Sequence, residues 1–314
     1  MNLQIIKKRK IWYIISSTLI LISIISLILF GLKPSIDFTG GTLMELKLSD
    51  KVYQTVDIST GNTFANFLNA NIANNSTGTI TVQKTQDNYF ILRFKEISQE
   101  DRTKLIEALK EKVDPDIVET KFESIGPTLG KELQKNTTTA IIISVIAIII
   151  YIAFAFKQVS YPIKSWKYGT IGIIALIHDI LITIGVFSLL GKFLNVEIDS
   201  LFITALLTIL GYSINDTIVI YDRIRENLRR TNGNFEDIVN NSLNETMARS
   251  INTTITTLLS LIAVFLFGGD SIKMFALALI VGITLGAYSS IFVASPLLVD
   301  LYNFENRKKI SQKK

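Results

Sequence analysis

Long apolar runs alternate with polar segments along the chain. Five runs are nearly free of charge and a sixth begins with threonines; they cover residues 11–32, 140–156, 169–190, 201–221, 275–298 and, for the sixth, 251–267. Because about 20 apolar residues cross the hydrocarbon core of a bilayer, the pattern predicts six transmembrane helices. We place them at residues 11–32, 137–156, 169–190, 201–221, 246–267 and 275–298.

The first apolar run follows a basic cluster, as a signal peptide would. It is longer than the apolar core of a signal sequence, and no clear small-residue cleavage site follows it. We therefore expect a retained membrane anchor, with cleavage as the alternative.

Basic residues are concentrated on one side of the predicted spans. With a cytoplasmic N-terminus, the inner segments are residues 1–10, 157–168, 222–245 and 299–314. These segments are rich in lysine and arginine, whereas the short outer loops, 191–200 and 268–274, carry only Lys192 and Lys273. This is the positive-inside pattern, so we expect both termini in the cytoplasm and residues 33–136 outside. The basic C-terminal tail then has a topological explanation, and we expect no nucleic-acid partner.

Residues 33–136 show the patterns of a small folded domain. Three stretches alternate apolar and polar residues, as half-buried strands do; their apolar positions are Met44, Leu46 and Leu48, then Ile80 and Val82, then Phe90, Leu92 and Phe94. One helix is predicted near residues 60–71 and another over 98–113, with Ser98 as its N-cap; a last strand covers 117–125. The order strand, helix, strand, strand, helix, strand predicts a ferredoxin-like α+β domain beside a polytopic α-helical membrane part.

The composition excludes several classes of function. The chain has no cysteine and one histidine, so a disulfide framework and thiolate metal sites are excluded. No nucleophile–base set, metal-ligand cluster or phosphate-binding loop occurs in the sequence. We therefore expect no enzymatic activity, no cofactor and no metal.

Ionisable residues fall inside the predicted spans, where charges are costly and often line ion or substrate paths. Asp216 lies about six residues from the cytoplasmic end of the fourth span, or about 9 Å deep. If the fifth helix begins near residue 245, Arg249 is about one turn deep, so the two side chains can lie at similar heights. Asp179 lies deeper. An aspartate whose arginine partner comes and goes would act as a switchable proton carrier, and a static structural pair is the alternative.

Other polar or small residues accompany these charges. The supporting polar residues are Ser213, Asn215, Asn252 and His178. His178 can either titrate or serve as a hydrogen-bonded packing residue. Gly282 and Gly286 have the GxxxG spacing of closely packed membrane helices, and we assign them to helix packing.

Five blocks of sequence resemble the SecF family of the bacterial Sec accessory complex. They are IDFTGGT at 36–42, IGPTLGKEL at 125–133, HD at 178–179, GYSINDTIVIYDRIREN at 211–227 and SLNETMARSINTTITTL at 242–258. They occur in the order of the family, which also has six spans and one large outer domain. The family motif after the first span comprises Asp37, Phe38, Thr39, Gly40, Gly41 and Thr42.

The resemblance implies a function that the residues alone do not give. Members of the SecF family pair with SecD, associate with the SecYEG channel and promote late steps of preprotein export, using the proton motive force across the bacterial cytoplasmic membrane. By resemblance, Asp216 is a proton-path residue and Arg249 its functional partner. Asp179 is a further proton-path candidate because of its position within the third span. Two alternatives remain: a structural subunit that holds SecD without its own proton path, and a proton-coupled small-molecule exporter of the same superfamily.

Overall fold

A computed structural model describes residues 3–49, 52–53, 56–86, 88–155, 163–231 and 233–311. The chain divides into two compact units, Pro34–Thr138 and a second unit formed by Met1–Lys33 with Thr139–Lys314. In the described part of the chain, six helices are long and apolar enough to cross a membrane. The predicted fold class, six membrane helices with one small α+β domain, is therefore confirmed.

The Pro34–Thr138 unit contains a four-stranded antiparallel sheet with the strand order β2-β3-β1-β4. The strands are β1 Gly41–Lys47, β2 Thr81–Gln86, β3 Tyr89–Phe94 and β4 Val118–Ile125. The helices of this unit are α2 Ile36–Thr39, α3 Gly61–Asn71 and α4 Gln99–Lys112. With α3 between β1 and β2 and α4 between β3 and β4, this is the ferredoxin-like connection that the alternating pattern predicts.

The core of this unit lies between the sheet and helices α3 and α4. It is built from the alternating residues of the strands, among them Met44, Leu92 and Phe90, which are fully buried. Phe64 of α3 packs edge-on against Phe90, with 5.1 Å between ring centroids. Ser98 caps α4 by accepting a hydrogen bond from the Asp101 backbone N–H, as predicted.

The described part of the chain also contains seven long helices and two short ones, which form the second unit except for residues 127–138. The long helices are α1 Arg9–Phe30, α5 Pro127–Ala155, α6 Ser165–Leu194, α7 Ser200–Arg230, α8 Phe235–Phe267, α9 Asp270–Ser289 and α10 Ser295–Ser311. A 3₁₀ helix, Ile6–Lys8, precedes α1, and a π-helix, Ser290–Ala294, joins α9 to α10.

Several helices extend past the segments assigned from hydropathy. Helix α5 begins ten residues before the predicted start of the second span, at Pro127 rather than residue 137. Most of the predicted cytoplasmic loop 222–245 is a helical hairpin of α7 and α8, because polar residues can continue a helix once it leaves the apolar layer. Residues 156–162, which include the start of the predicted loop 157–168, lie outside the described residues, as do 1–2 and 312–314.

Helix α1 packs on α6 through its small polar residues. Ser16, Ser23 and Ser26 are its buried residues, and the Ser188 hydroxyl of α6 donates a hydrogen bond of 3.0 Å to the Ser26 carbonyl. Gly185 of α6 lies so close to Ser23 that a Cβ at that position would collide with it. Small residues at such contacts let membrane helices approach closely.

Candidate functional site

Asp179 is the centre of a buried polar cluster that joins three helices. Its carboxylate is fully buried. Oδ2 accepts hydrogen bonds from the Ser213 hydroxyl of α7 at 2.6 Å and the Ser289 hydroxyl of α9 at 2.8 Å. Oδ1 lies 2.8 Å from His178 Nδ1. Both carboxylate oxygens are therefore satisfied, which is what a buried charge or dipole requires.

The π-helix continues this cluster toward α10. Ser290, its first residue, shares a 2.8 Å hydrogen bond with Thr217 of α7, and the Ser295 hydroxyl donates to the Ser290 carbonyl at 3.0 Å. A π-helical turn inserts an extra residue into the helix and is frequent at functional sites. At its start, the consecutive residues Ser289 and Ser290 bond different partners, Asp179 and Thr217.

Asp216 lies in a separate place, between α7 and α8. Its Oδ1 accepts a 2.8 Å hydrogen bond from the Ser250 hydroxyl. Its Oδ2 is buried and has no hydrogen-bond partner in the described part of the chain. The residue is only 7% exposed. A carboxylate with one buried oxygen unsatisfied is costly when ionised and less costly when protonated.

Arg249 does not reach Asp216 in this structure. The guanidinium is exposed, and no ion pair joins it to Asp216 among the described residues. Similar depth does not bring the two side chains together, because consecutive helical residues point about 100° apart, and the neighbouring Ser250 faces Asp216 instead. Arg249 lines a polar cavity of about 390 Å³ between α7 and α8, together with Arg223 and Glu245.

The supporting residues separate into buried and exposed sets. Ser213 and His178 are buried beside Asp179, whereas Asn215 and Asn252 are exposed on the membrane helices α7 and α8. The sequence reasoning missed four buried hydroxyl residues, Ser250, Ser289, Ser290 and Thr217. Ser250 and Ser289 each donate a hydrogen bond to an aspartate, and Ser290 and Thr217 are bonded to each other. Their signal was faint: single hydroxyl residues within apolar runs.

Gly282 and Gly286 provide the close contact between α9 and α7. A Cβ at Gly282 would overlap the Ile209 side chain, and one at Gly286 would lie 2.9 Å from Ser213 Cβ. Gly286 therefore leaves room for the serine that holds Asp179. The close helix contact predicted from the GxxxG spacing is present.

The family motif after the first span forms a tight turn within the Pro34–Thr138 unit. Ser35 caps the short helix α2, and Gly40 and Gly41 follow with φ of 71° and 124°, a region in which side chains are strained. A Cβ on Gly40 would lie 2.9 Å from Pro127 Cα, and one on Gly130 would lie 3.0 Å from the Gly40 nitrogen. The fold thus packs this motif, backbone on backbone, against the IGPTLG stretch.

The remaining motif residues contribute to the same turn and its strand. Thr42 is fully buried and shares a 2.8 Å hydrogen bond with Ser124. Thr39 donates its hydroxyl to the Ser35 carbonyl. Asp37 and Phe38 are half-buried. These contacts are structural, and they explain why small residues occur at this turn.

Two family models match the chain. The model described as protein export membrane protein SecD/SecF, C-terminal, matches residues 105–304, and the SecD/SecF GG motif matches residues 25–52.

Similar curated proteins carry the same description. The protein translocase subunit SecF of Thermobaculum terrenum is 42% identical over 304 residues, covering 96% of this chain and 94% of that protein. The subunit of the same name from Synechocystis is 39% identical over 311 residues, covering 95% and 93%.

Solved structures agree with this similarity. The crystal structure of SecDF, a translocon-associated membrane protein from Thermus thermophilus, matches with a TM-score of 0.81 and 32% identity, covering 96% of this chain. A structure of SecDF in its super-membrane-facing form matches with a TM-score of 0.68. This chain spans 39% and 40% of those two chains.

Proposed function

Since the chain belongs to the SecF family of protein translocase subunits, we propose that it promotes late steps of protein export across the bacterial cytoplasmic membrane, driven by the proton motive force. It is a multi-pass membrane protein. We further propose that both termini are cytoplasmic and the Pro34–Thr138 unit periplasmic, an orientation supported by the concentration of lysine and arginine on one side of the spans.

The observation that carries the proposal is the incomplete hydrogen bonding of the buried Asp216 carboxylate. A carboxylate within a membrane helix has one hydrogen-bond donor, Ser250, and one buried oxygen without a partner. Protonation removes the charge and gives that oxygen an O–H, so the site favours different helix arrangements in its two protonation states. This is the property that a proton-coupled conformational switch requires.

In a second conformation of this switch, Arg249 would replace Ser250 as the partner of Asp216. It follows Glu245 by one helical turn on the exposed face of α8 and precedes Ser250 by one residue. A rotation of α8 by about 100°, the angle between consecutive helical residues, would bring Arg249 to the place where Ser250 now meets Asp216. The ionised carboxylate would gain a cation in that state, whereas the protonated form would keep the serine.

The energy available is sufficient for such a movement. One elementary charge crossing about 150 mV provides roughly 3.5 kcal/mol, at about 2.3 kcal/mol per 100 mV. This shifts a two-state equilibrium by a factor of several hundred, since about 1.4 kcal/mol corresponds to tenfold. The movement would be passed to the Pro34–Thr138 unit, which would pull or retain the emerging preprotein beside SecYEG. We place Asp179 on the same proton path as a second carboxylate.

Similarity to the solved SecDF chain implies association with SecD. Supporting this, α7 and α8 expose polar residues at positions where lipid contact is unfavourable; they are Thr204, Thr208 and Asn215 on α7, and Asn252, Thr256 and Ser260 on α8. Tyr212 of α7 joins the two helices by a 3.2 Å hydrogen bond to Thr257. We assign SecD to this face.

The same polar face favours a second candidate function, a structural subunit that assembles SecD without its own proton path. The two functions are separated by Asp216→Asn in inverted membrane vesicles that contain SecD and SecYEG. ATP is supplied for the early step and then exhausted, a proton gradient is imposed, and the protease-protected preprotein is measured. The amide can keep the Ser250 hydrogen bond but cannot ionise.

We expect the Asp216→Asn complex to assemble and to lose gradient-driven export. Asp237→Asn, the same substitution at an exposed position in the first turn of α8, is the matched control and should respond like the unmodified protein. Normal gradient-driven export by the Asp216→Asn complex would refute the proton-carrier function. Loss of SecD in a pull-down would favour the structural one.

A further inference from the structure

The segment that leads into α1, residues 3–9, is hydrogen-bonded to the first three turns of α8; we call it the N-terminal segment. The side chain of Asn244 accepts from the Leu3 N–H at 2.8 Å and donates to the Leu3 carbonyl at 3.0 Å. One turn earlier, the side-chain oxygen of Asn240 accepts from the Ile5 and Ile6 N–H groups at 3.0 and 3.4 Å. Two asparagines on one face of α8 thus bind four backbone groups of this segment.

The N-terminal segment is also fixed to the other helices of its unit. Ile5 and Ile6 are 3% and 0% exposed, and they belong to an apolar cluster that includes residues of α6, α7, α8 and α10. Arg9 pairs with Asp300 of α10 at 2.8 Å and with Glu236 of α8 at 3.0 Å. The segment therefore connects α8 to helices on which α8 would otherwise be free to turn.

These contacts fix the rotation of α8 about its own axis. Ser250 lies ten residues after Asn240 on the same helix, or about 15 Å along it. Since the residues of a helix turn together, the rotation that presents both asparagines to the N-terminal segment also presents Ser250 to Asp216. A turn of about 100°, which would bring Arg249 to that aspartate, would carry the asparagine side chains away from the backbone groups that they bind.

Such a turn would break contacts of buried groups. Asn240 is 6% exposed, and its side-chain oxygen is the acceptor for the N–H groups of the buried Ile5 and Ile6. A buried donor that loses its acceptor is destabilising. The ion pair between Arg9 and Glu236 would separate as well. The observed rotation of α8 is therefore favoured by contacts that lie well away from the membrane carboxylate.

We propose that Asn240 and Asn244 are positioning residues, which hold α8 in the rotation observed here. In that rotation Ser250 is the partner of Asp216, and the contacts to the N-terminal segment must break before Arg249 can replace Ser250. The proposal rests on the proton-driven function above and adds the restraint that the movement of α8 has to overcome.

A reversible cross-link tests whether these contacts break during export. The chain has no cysteine, so the double variant Leu3→Cys/Asn244→Cys can form one disulfide within the chain. The two residues are in direct contact, as the short Cα separation of a disulfide requires. The variant is placed in inverted vesicles with SecYEG and a cysteine-free SecD, and the cross-link is verified by peptide mass. Leu3→Cys alone, treated with the same oxidant, is the control.

We expect the oxidised double variant to lose gradient-driven export and a reductant to restore it, because the cross-link prevents α8 from turning. The oxidised control should keep its export. A purely structural N-terminal segment would be unaffected by the cross-link. Normal gradient-driven export with the disulfide formed would therefore overturn the proposal.

A second measurement loosens the contacts and does not depend on export. A turn that brings Arg249 to the place of Ser250 moves every residue of α8 to the place of the next one, so the exposed position 241 would move to the buried place of Ser242. Asn241→Cys is labelled with a water-soluble maleimide in the SecD complex, with and without Asn240→Ala and Asn244→Ala. We expect the two alanines to slow labelling several-fold.

Slower labelling separates a turned helix from a destabilised one, because local unfolding would expose position 241 further. Equal or faster labelling would contradict the positioning role. If Asp216→Asn abolishes gradient-driven export and the oxidised double variant exports normally, the positioning role is refuted while the proposed function stands. If the unmodified complex ignores the gradient, the proposed function fails, and the labelling of position 241 still decides whether the asparagines set the rotation of α8.

Discussion

The contact between α7 and α9 can be tested by a double-mutant cycle at Gly282 and Ile209. Gly282→Ala places a methyl group against the Ile209 side chain, whose Cδ1 is the nearest atom. Ile209 is fully buried, so it has little room to move. Overpacking of this kind costs about 1–3 kcal/mol, and Ile209→Val, which removes Cδ1, costs about 0.5–1.5 kcal/mol by itself.

The double variant should lose less free energy of unfolding than the sum of the losses of the two single variants. Removing Cδ1 gives the new methyl group part of the space it needs, so we expect a coupling energy of about 1 kcal/mol, within the range of contacting pairs. Gly211→Ala is the matched control, since nothing lies within 4 Å of a Cβ at that position on α7. The gain in helix propensity, about 0.5–1 kcal/mol, is common to both alanine substitutions and cancels in their difference.

The free energy of unfolding can be measured by titrating the protein in mixed micelles with a denaturing detergent. The fluorescence of Trp12, which packs 4.3 Å from Phe292 between ring centroids, reports the packed state. The free energy of unfolding of the Gly282→Ala variant should be about 1–3 kcal/mol lower than that of the Gly211→Ala variant. Additivity of the two single variants within about 0.3–0.5 kcal/mol, the behaviour of independent sites, would refute the packing argument.

Three further predictions concern stability and order. Phe64→Ala should destabilise the Pro34–Thr138 unit by about 3–5 kcal/mol, because both Phe64 and Phe90 are fully buried; urea unfolding of that unit measures it, and a loss below about 1 kcal/mol would contradict the core assignment. Asn240→Ala removes the side-chain oxygen that accepts from the Ile5 and Ile6 N–H groups at 3.0 and 3.4 Å. Hydrogen exchange at those amides should accelerate about tenfold or more, given about 1–3 kcal/mol for a buried donor left unpaired; unchanged exchange would exclude this anchoring role. Arg223→Ala removes ion pairs to Glu226 and Glu245 whose side chains are 37% and 44% exposed. The substitution should lower the free energy of unfolding by less than about 1 kcal/mol. A larger loss would show that solvent screens these ion pairs less than the exposure of their side chains indicates.

The Pro34–Thr138 unit was the more predictable part of the fold. Strands of period two and a capped amphipathic helix place Met44, Leu92 and Leu109 in the core, and all three are buried. Local patterns suffice there because one face of each element meets water and the other meets apolar side chains. The first residue of β2 is Thr81, one position after the predicted apolar residue Ile80, which is the usual uncertainty of strand ends.

The membrane site was less predictable, because hydropathy gives depth but not rotation. Asp216 and Arg249 were assigned to similar depths, yet Ser250 is the residue that contacts Asp216. In a lipid-facing or partner-facing helix, apolar residues occur all round, so the periodic signal that orients a soluble helix is weak. The π-helix at Ser290–Ala294 was not predicted either, and neither were the hydrogen bonds of Ser289 and Ser290 to neighbouring helices at its start.

The serine face of α1 has a consequence for how the chain can be altered. Its isoleucines and leucines, such as Ile14, Ile28 and Leu29, are largely exposed on this chain, whereas Ser16, Ser23 and Ser26 are buried. Insertion into the bilayer and docking on α6 are therefore encoded by different residues of one helix. A generic hydrophobic anchor in place of α1 would restore insertion into the bilayer but would lose docking on α6. Selection for hydrophobicity alone would thus yield proteins that reach the membrane with an unpaired first helix.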